Sequence, residues 1–141
     1  MILDQGKIYI FTDGACSGNP GPMGIGYVYV YIDGMGKEVT KEVSEGIGNG
    51  TNNIAELTAI KQALTGVKRK DVSTIVCTDS SYSVGVLAGN FKAKKNLELI
   101  AEVKSIMSLF KDIEIKHVAG HNGIKYNEIA DKLATGAIKG A

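Results

Sequence analysis

The chain has 141 residues, the size of one ordinary domain. Sixteen Lys plus Arg oppose fifteen Asp plus Glu, a net charge of +1, and 44% of the residues are apolar. This balance excludes a disordered chain and a protein that grips polyanions by bulk charge, so any polyanionic partner must be held at a local site.

No run of apolar residues is long enough for a transmembrane helix, and Met1-Ile2-Leu3-Asp4-Gln5-Gly6 lacks the basic and apolar stretches of a secretory leader. Cys16 and Cys77 stand far apart without CxxC spacing. They predict reduced thiols in a cytoplasmic protein, and neither a disulfide scaffold nor a zinc cluster. Arg69 is the only arginine, so little here can depend on a bidentate guanidinium fork.

Lys7 to Thr12 reads as a first strand ending at Asp13 and a Gly/Pro/Asn cluster over Gly14 to Gly24. Gly26 to Ile32 is aromatic and β-branched, a second strand, and Asp33-Gly34 is a hairpin signal. Lys37 to Ile47 returns as a third antiparallel strand. The period then changes: Ile54, Leu57, Ile60, Ala63 and Leu64 predict a helix over Asn53 to Val67. Ser73 to Thr78 is a buried fourth strand running into Asp79, and Ser80 to Ala88 a short helix. Leu97, Ile100, Val103, Ile106, Met107 and Phe110 mark a longer amphipathic helix. Ile113 to Val118 is a fifth strand, Ala119 to Lys125 a loop, and Tyr126 to Lys139 a last helix with the stripe Ile129, Leu133, Ala137. The expected architecture is α/β: a single domain over residues 1–141 whose mixed five-stranded sheet is flanked by helices.

The glycine-rich stretch is not a phosphate loop. Gly18-Asn19-Pro20-Gly21-Pro22 carries no Gly-Lys-Ser/Thr, Gly24-Ile25-Gly26 lacks the third glycine, and a strand follows rather than a helix.

The carboxylates say more. Asp13 and Asp79 close the first and fourth strands, where open α/β sheets bind ligands. Glu56 lies in the first turn of the first helix, and Asp131 on the last helix, ten residues beyond His121. Four acids from separate segments converging on one sheet edge would repel one another and need a cation. All-oxygen ligands favour Mg²⁺ or Mn²⁺. Each acid also has a local reading: Asn53 and Glu56 fit a capping box, Asp79 an N-cap, Asp131 a solvated helix face, and Asp13 the opening of a turn. His121, between Gly120 and Asn122, also fits an exposed loop position.

Together the segments resemble a known family. Thr12-Asp13-Gly14-Ala15-Cys16-Ser17-Gly18-Asn19-Pro20-Gly21-Pro22 resembles the first motif of type 1 ribonuclease H. Thr51-Asn52-Asn53-Ile54-Ala55-Glu56-Leu57 resembles the second, and Thr78-Asp79-Ser80-Ser81-Tyr82 the third. Gly120-His121 and Asn127-Glu128-Ile129-Ala130-Asp131 resemble the last. Four motifs in the family's order span nearly the whole chain.

The resemblance implies a three-layer ribonuclease H-like fold, its sheet of three antiparallel then two parallel strands. It implies endonucleolytic hydrolysis of the RNA strand of an RNA–DNA hybrid, giving 5′-phosphate and 3′-hydroxyl ends. By family position Asp13, Glu56, Asp79 and Asp131 would hold two Mg²⁺ ions, with Mn²⁺ able to substitute, and His121 would assist turnover by helping product leave or by shuttling protons. Gly14, Cys16, Asn19, Asn52 and Asn53 would line the hybrid's minor groove, where RNA is told from DNA by its 2′-hydroxyls. Thr51 with Asn53 would hold a phosphate of the DNA strand, and Ser81 would contact substrate. Two metals about 4 Å apart suit this reaction because they need no protein nucleophile. No membrane or protein partner is implied, and a monomer is expected.

Other readings fit less well. A proofreading exonuclease of the same superfold wants Asp-x-Glu where Asp13-Gly14-Ala15 stands, and integrases or resolvases are not expected to carry the Thr-Asn-Asn-x-x-Glu segment. A non-catalytic hybrid-binding module would have no need of all four acids.

Two departures bear on substrate binding. Many relatives carry Gln where Ser81 stands, a longer reach toward a base edge or ribose. The segment Ala88 to Leu97 is far shorter than the basic protrusion of many bacterial members, leaving Lys92, Lys94 and Lys95. Weak hybrid binding with few phosphate contacts and a shallow salt slope is therefore expected, each contact adding roughly −0.9 to the slope of log K against log salt for a duplex. A binding titration across salt concentrations checks this, and a slope corresponding to six or more contacts would contradict it.

Overall fold

The computed structural model describes residues 1–89, 92–119 and 124–139. Five strands form one sheet: β1 (Ile8–Cys16), β2 (Gly21–Ile32), β3 (Glu38–Gly50), β4 (Thr74–Thr78) and β5 (Ile113–His117). Four helices accompany them: α1 (Asn52–Thr65), α2 (Ser81–Leu87), α3 (Leu97–Met107) and α4 (Lys125–Lys139). The strand order is β3-β2-β1-β4-β5. β1, β2 and β3 pair antiparallel, while β4 pairs parallel with both β1 and β5. The expected mixed sheet is therefore the one observed.

Side chains alternate across the sheet and build two cores. On one face Ile10, Ile25, Tyr27 and Val76 pack with Leu57, Ile60 and Leu64 of α1 and with Ile100 and Val103 of α3. On the other, Tyr9, Phe11, Val28 and Val30 pack with Tyr126 and Ala130 of α4. Two helical layers thus enclose the sheet, and every residue of β1 from Tyr9 to Asp13 is buried.

The first two strands are longer than their sequence suggests. β1 runs on through Asp13 to Cys16, and β2 begins at Gly21. The glycines of the intervening cluster are largely strand residues, and their reason is tertiary. A Cβ on Gly24 would stand 2.2 Å from the Ala134 carbonyl oxygen, and one on Gly26 2.5 Å from that of Ala130. A Cβ on Gly14 would stand 2.3 Å from the Ala55 carbonyl carbon. Helices α1 and α4 therefore approach the sheet closely only because these positions carry no side chain. The partner face on α4 is correspondingly small: Ala130, Ala134 and Ala137 are buried, while Ile129 and Leu133 are half-buried.

Two further local expectations shift. The β2–β3 connection spans five residues and not two: the Asp33 carboxylate accepts from the amides of Met35 and Lys37, and the positive φ falls on Gly36. Helix α3 stops at Met107, leaving Phe110 buried beyond it, and Leu97 at its start is exposed. Among the described residues no helix is long and apolar enough to cross a membrane.

The close helix–sheet contact is testable with a matched pair of variants. Gly26→Ala should cost about 2 kcal/mol or more, because the clashing atoms are backbone and the β-carbon of Leu133. Thermal denaturation should show a midpoint lowered by ~5–10 °C. Gly136→Ala, on α4 with nothing within 4 Å of the added carbon, should instead be neutral or stabilising by up to about 1 kcal/mol.

Candidate active site

The β1–β4 ladder pairs Ile8–Phe11 with Thr74–Cys77 and goes no further. Beyond it the two strands part, and the acids stand in the opening. Asp13 follows Tyr9 and Phe11 in the alternation that faces α4. Asp79 follows the last residue of β4 directly. Glu56 enters from the opposite layer, on the first turns of α1. Asp13, Glu56 and Asp79 each offer a carboxylate oxygen, and these atoms all lie within 4.8 Å of one another. Asp131, on α4, lies near enough to Asp13 to accept a hydrogen bond from its protonated carboxyl.

The local readings of Glu56, Asp79 and Asp13 fail one by one. The N-cap of α1 is Thr51, whose hydroxyl accepts from the Ile54 amide at 3.3 Å. Glu56 is two residues too late to complete a capping box on that cap. The N-cap of α2 is Ser80, accepting from the Ser83 amide at 3.1 Å, so Asp79 is free of that duty. Asp13 opens no turn, since it pairs with Gly26 inside β1. Asp131 is exposed, as its local reading expected, yet it contacts Asp13.

Crowding leaves an electrostatic mark. Burial, the charge of Glu56, the hydrogen bond that a protonated Asp13 donates to Asp131, and then the charges of Asp79 and Asp131 push the Asp13 carboxyl up to about 9. Burial and the charge of Asp79 raise Glu56 to about 7, against the pull of the Gly14 amide. That amide donates to Glu56 Oε1 at 2.7 Å and to Asp13 Oδ1 at 3.0 Å, tying strand to helix. Carboxylates that must hold protons near neutrality are ones that a divalent cation would deprotonate and bind. An all-oxygen donor set of three to four acids fits Mg²⁺ or Mn²⁺.

The expected substrate residues separate into groups. Asn19, Thr51, Asn52 and Asn53 line one cavity of about 540 Å³ at the start of α1. Asn19 Oδ1 accepts from the Asn52 amide at 2.9 Å, joining the β1–β2 turn to the start of α1. Gly14 and Cys16 lie beneath, the Cys16 thiol donating to the carbonyls of Gly50 (3.2 Å) and Gly21 (3.5 Å). Ser81 lines a different surface, with its hydroxyl 3.4 Å from His117 Nε2. His121 lies outside the described residues, as does most of the loop expected over Ala119 to Lys125.

The sequence reading missed how the short segment before α3 folds. Lys94, Lys95 and Asn96 line the same cavity as Asn19 and Asn53, with Tyr82 between. Asn96 sits in the left-handed region (φ 60°), and its amide nitrogen donates to the Tyr82 hydroxyl at 3.1 Å. An Asn directly before an apolar helical stripe was the available signal, since Asn tolerates that conformation. A larger cavity of about 570 Å³ lies at the opposite end of the sheet, lined by Ile8, Tyr31 and Arg69 among others, away from the carboxylates.

Known proteins share this fold. The fold is that of ribonuclease H: the chain superposes on RNase H1 from the halophilic archaeon Halobacterium salinarum with a TM-score of 0.80 and 31% identity, covering 96% of this chain and 100% of that one. It matches LC11-RNase H1, solved in complex with RNA/DNA hybrid, at a TM-score of 0.78 and 34% identity over 95% and 98% of the two chains. The RNase H family model matches residues 5–139. Ribonuclease H of Ehrlichia ruminantium is 40% identical over 98% of this chain and 99% of its own. That of Anaplasma marginale is 37% identical over 99% and 95%. The chain belongs to the ribonuclease H family.

The raised carboxyls give a stability test in metal-free buffer. Between about pH 4 and pH 9 the folded protein holds a proton at Asp13 that the unfolded chain has released. Stability therefore falls as pH rises through this window. Asp13→Asn removes that loss, so its midpoint advantage in thermal melts with EDTA should grow from pH 5 to pH 8. An advantage independent of pH would contradict the crowded site.

Proposed function

We propose that this protein is an endoribonuclease that cleaves the RNA strand of RNA–DNA hybrids with two divalent ions, leaving 5′-phosphate and 3′-hydroxyl ends. The observation that carries the reading is the convergence of Asp13, Glu56 and Asp79, with Asp131 beside them, at the parting of β1 and β4. Family membership and the hybrid held by the related LC11-RNase H1 support it.

The four carboxylates would hold the ions, Mg²⁺ or Mn²⁺. Bound there, divalent ions supply an activated water, charge relief at phosphorus and stabilisation of the leaving 3′-oxygen. The chain's own task is placement. Asp13, buried in the middle of the cluster, keeps the acids rigidly spaced, and the Gly14 amide fixes Glu56 against the strand. Asn19, Asn52 and Asn53, short polar groups on fixed backbone, would meet the shallow minor groove, where the 2′-hydroxyls distinguish RNA. Thr51 is occupied as the N-cap of α1 and would face a DNA phosphate together with Asn53 and the Lys94-Lys95-Asn96 segment across the cavity. His121 would help product leave or carry protons. The free thiols of Cys16 and Cys77 accord with a reducing, cytoplasmic setting.

Cleavage of an end-labelled RNA–DNA hybrid in Mg²⁺ tests the proposal, with single-stranded RNA, RNA duplex and DNA duplex as controls. The hybrid's RNA strand should be cut, and EDTA should stop the reaction. Asp13→Asn should lower the rate by ~10²–10³-fold or more while the protein stays folded. Binding of the hybrid without cutting would make the chain a recognition module instead.

A further inference from the structure

We propose that His117, held by Ser81, is a further substrate-binding residue, donating a hydrogen bond to the backbone of the strand that crosses the carboxylates. The inference rests on the nuclease reading and adds a contact on the β5 side of the site.

Placement comes first. β5 pairs with β4 so that His117 stands beside Thr78, the residue immediately before Asp79. Along β5 the residues Ile113 and Ile115 pack into the core on the face of α1, α2 and α3. Alternation puts His117 next in that apolar row, at the end where the core runs out. A histidine occupies a position whose pattern calls for an aliphatic residue, and it is exposed. From there its ring reaches α2, where Nε2 lies 3.4 Å from Ser81 Oγ.

The chemistry follows from that pair. If the Ser81 hydroxyl donates to Nε2, the neutral ring carries its proton on Nδ1 and that nitrogen is an uncommitted donor. No other described protein group hydrogen-bonds to the ring, so that Nδ1–H is available to a ligand. A nucleic acid backbone presents phosphate oxygens, acceptors that need such donors next to a site otherwise built of carboxylates. Ser81 is too short to make this reach alone. The ring adds the length, and the serine fixes the ring's direction.

Steady-state cleavage of a hybrid by His117→Ala should show KM raised about 3- to 10-fold, the size of one hydrogen bond, with kcat within twofold. Ser81→Ala should raise KM less, and the double variant should be no worse than His117→Ala alone. His117→Gln, which restores a donor of similar length, should recover part of the loss. Glu114→Gln, on the opposite face of β5, should leave KM unchanged. Unchanged KM in His117→Ala overturns the proposal. So does a fall in kcat alone, or a loss of thermal stability that tracks the KM change. Hybrid affinity by fluorescence anisotropy in EDTA separates the two readings. If the wild type binds but never cuts, the nuclease reading fails, while weakened binding by His117→Ala still supports the contact.

Discussion

Like charges do not gather unaided, and the molecule is organised around making them do so. At separations of 4–5 Å two carboxylates repel by on the order of 3–4 kcal/mol in a partly solvated protein environment. This chain brings together three such groups, with a fourth beside them. The metal-free protein answers by holding protons on Asp13 and Glu56, far above the ordinary carboxylate range. Such a site persists only if the scaffold is stiff enough to refuse the easy relief of letting the acids drift apart.

Stiffness comes from close approach. Glycines at positions 14, 24 and 26 bring the backbones of α1 and α4 against β1 and β2. Contact at that distance leaves no slack for either helix to slide. Asp13 sits on the strand clamped between the two, Glu56 on one clamp and Asp131 on the other. The same glycines that look like loop residues in the sequence are thus what fixes the spacing of the acids, and the Gly14 amide adds a direct bond to two of them.

The elements and the acids were largely legible because their signals are local. Alternation, helical spacing and the placement of Asp13 and Asp79 at strand ends all lie within a few residues of each other. Strand ends were misjudged where glycine has a tertiary cause: nothing near Gly24 announces that Ala134, more than a hundred residues later, will press against it. The capping-box reading of Asn53 and Glu56 failed because Thr51 competes successfully for the same helix end. The family resemblance supplied what local patterns could not, the joint meaning of four distant acids. It did not supply Asn96, set by an unusual backbone conformation, or His117, whose meaning depends on a register between two parallel strands.

The bond between Asn19 and Asn52 decides which half of a side chain faces outward. Asn19 gives its carbonyl oxygen to the Asn52 amide, leaving its NH₂ group, a donor only, to meet any ligand over the cavity. In the minor groove of a duplex every base pair offers an acceptor, whereas only G·C pairs offer a donor. A residue restricted to donating therefore finds a partner at any sequence. If Asn19 meets the minor groove as proposed, a side chain oriented in this way would make a contact blind to base identity, suited to recognising the kind of duplex and ignoring what it encodes.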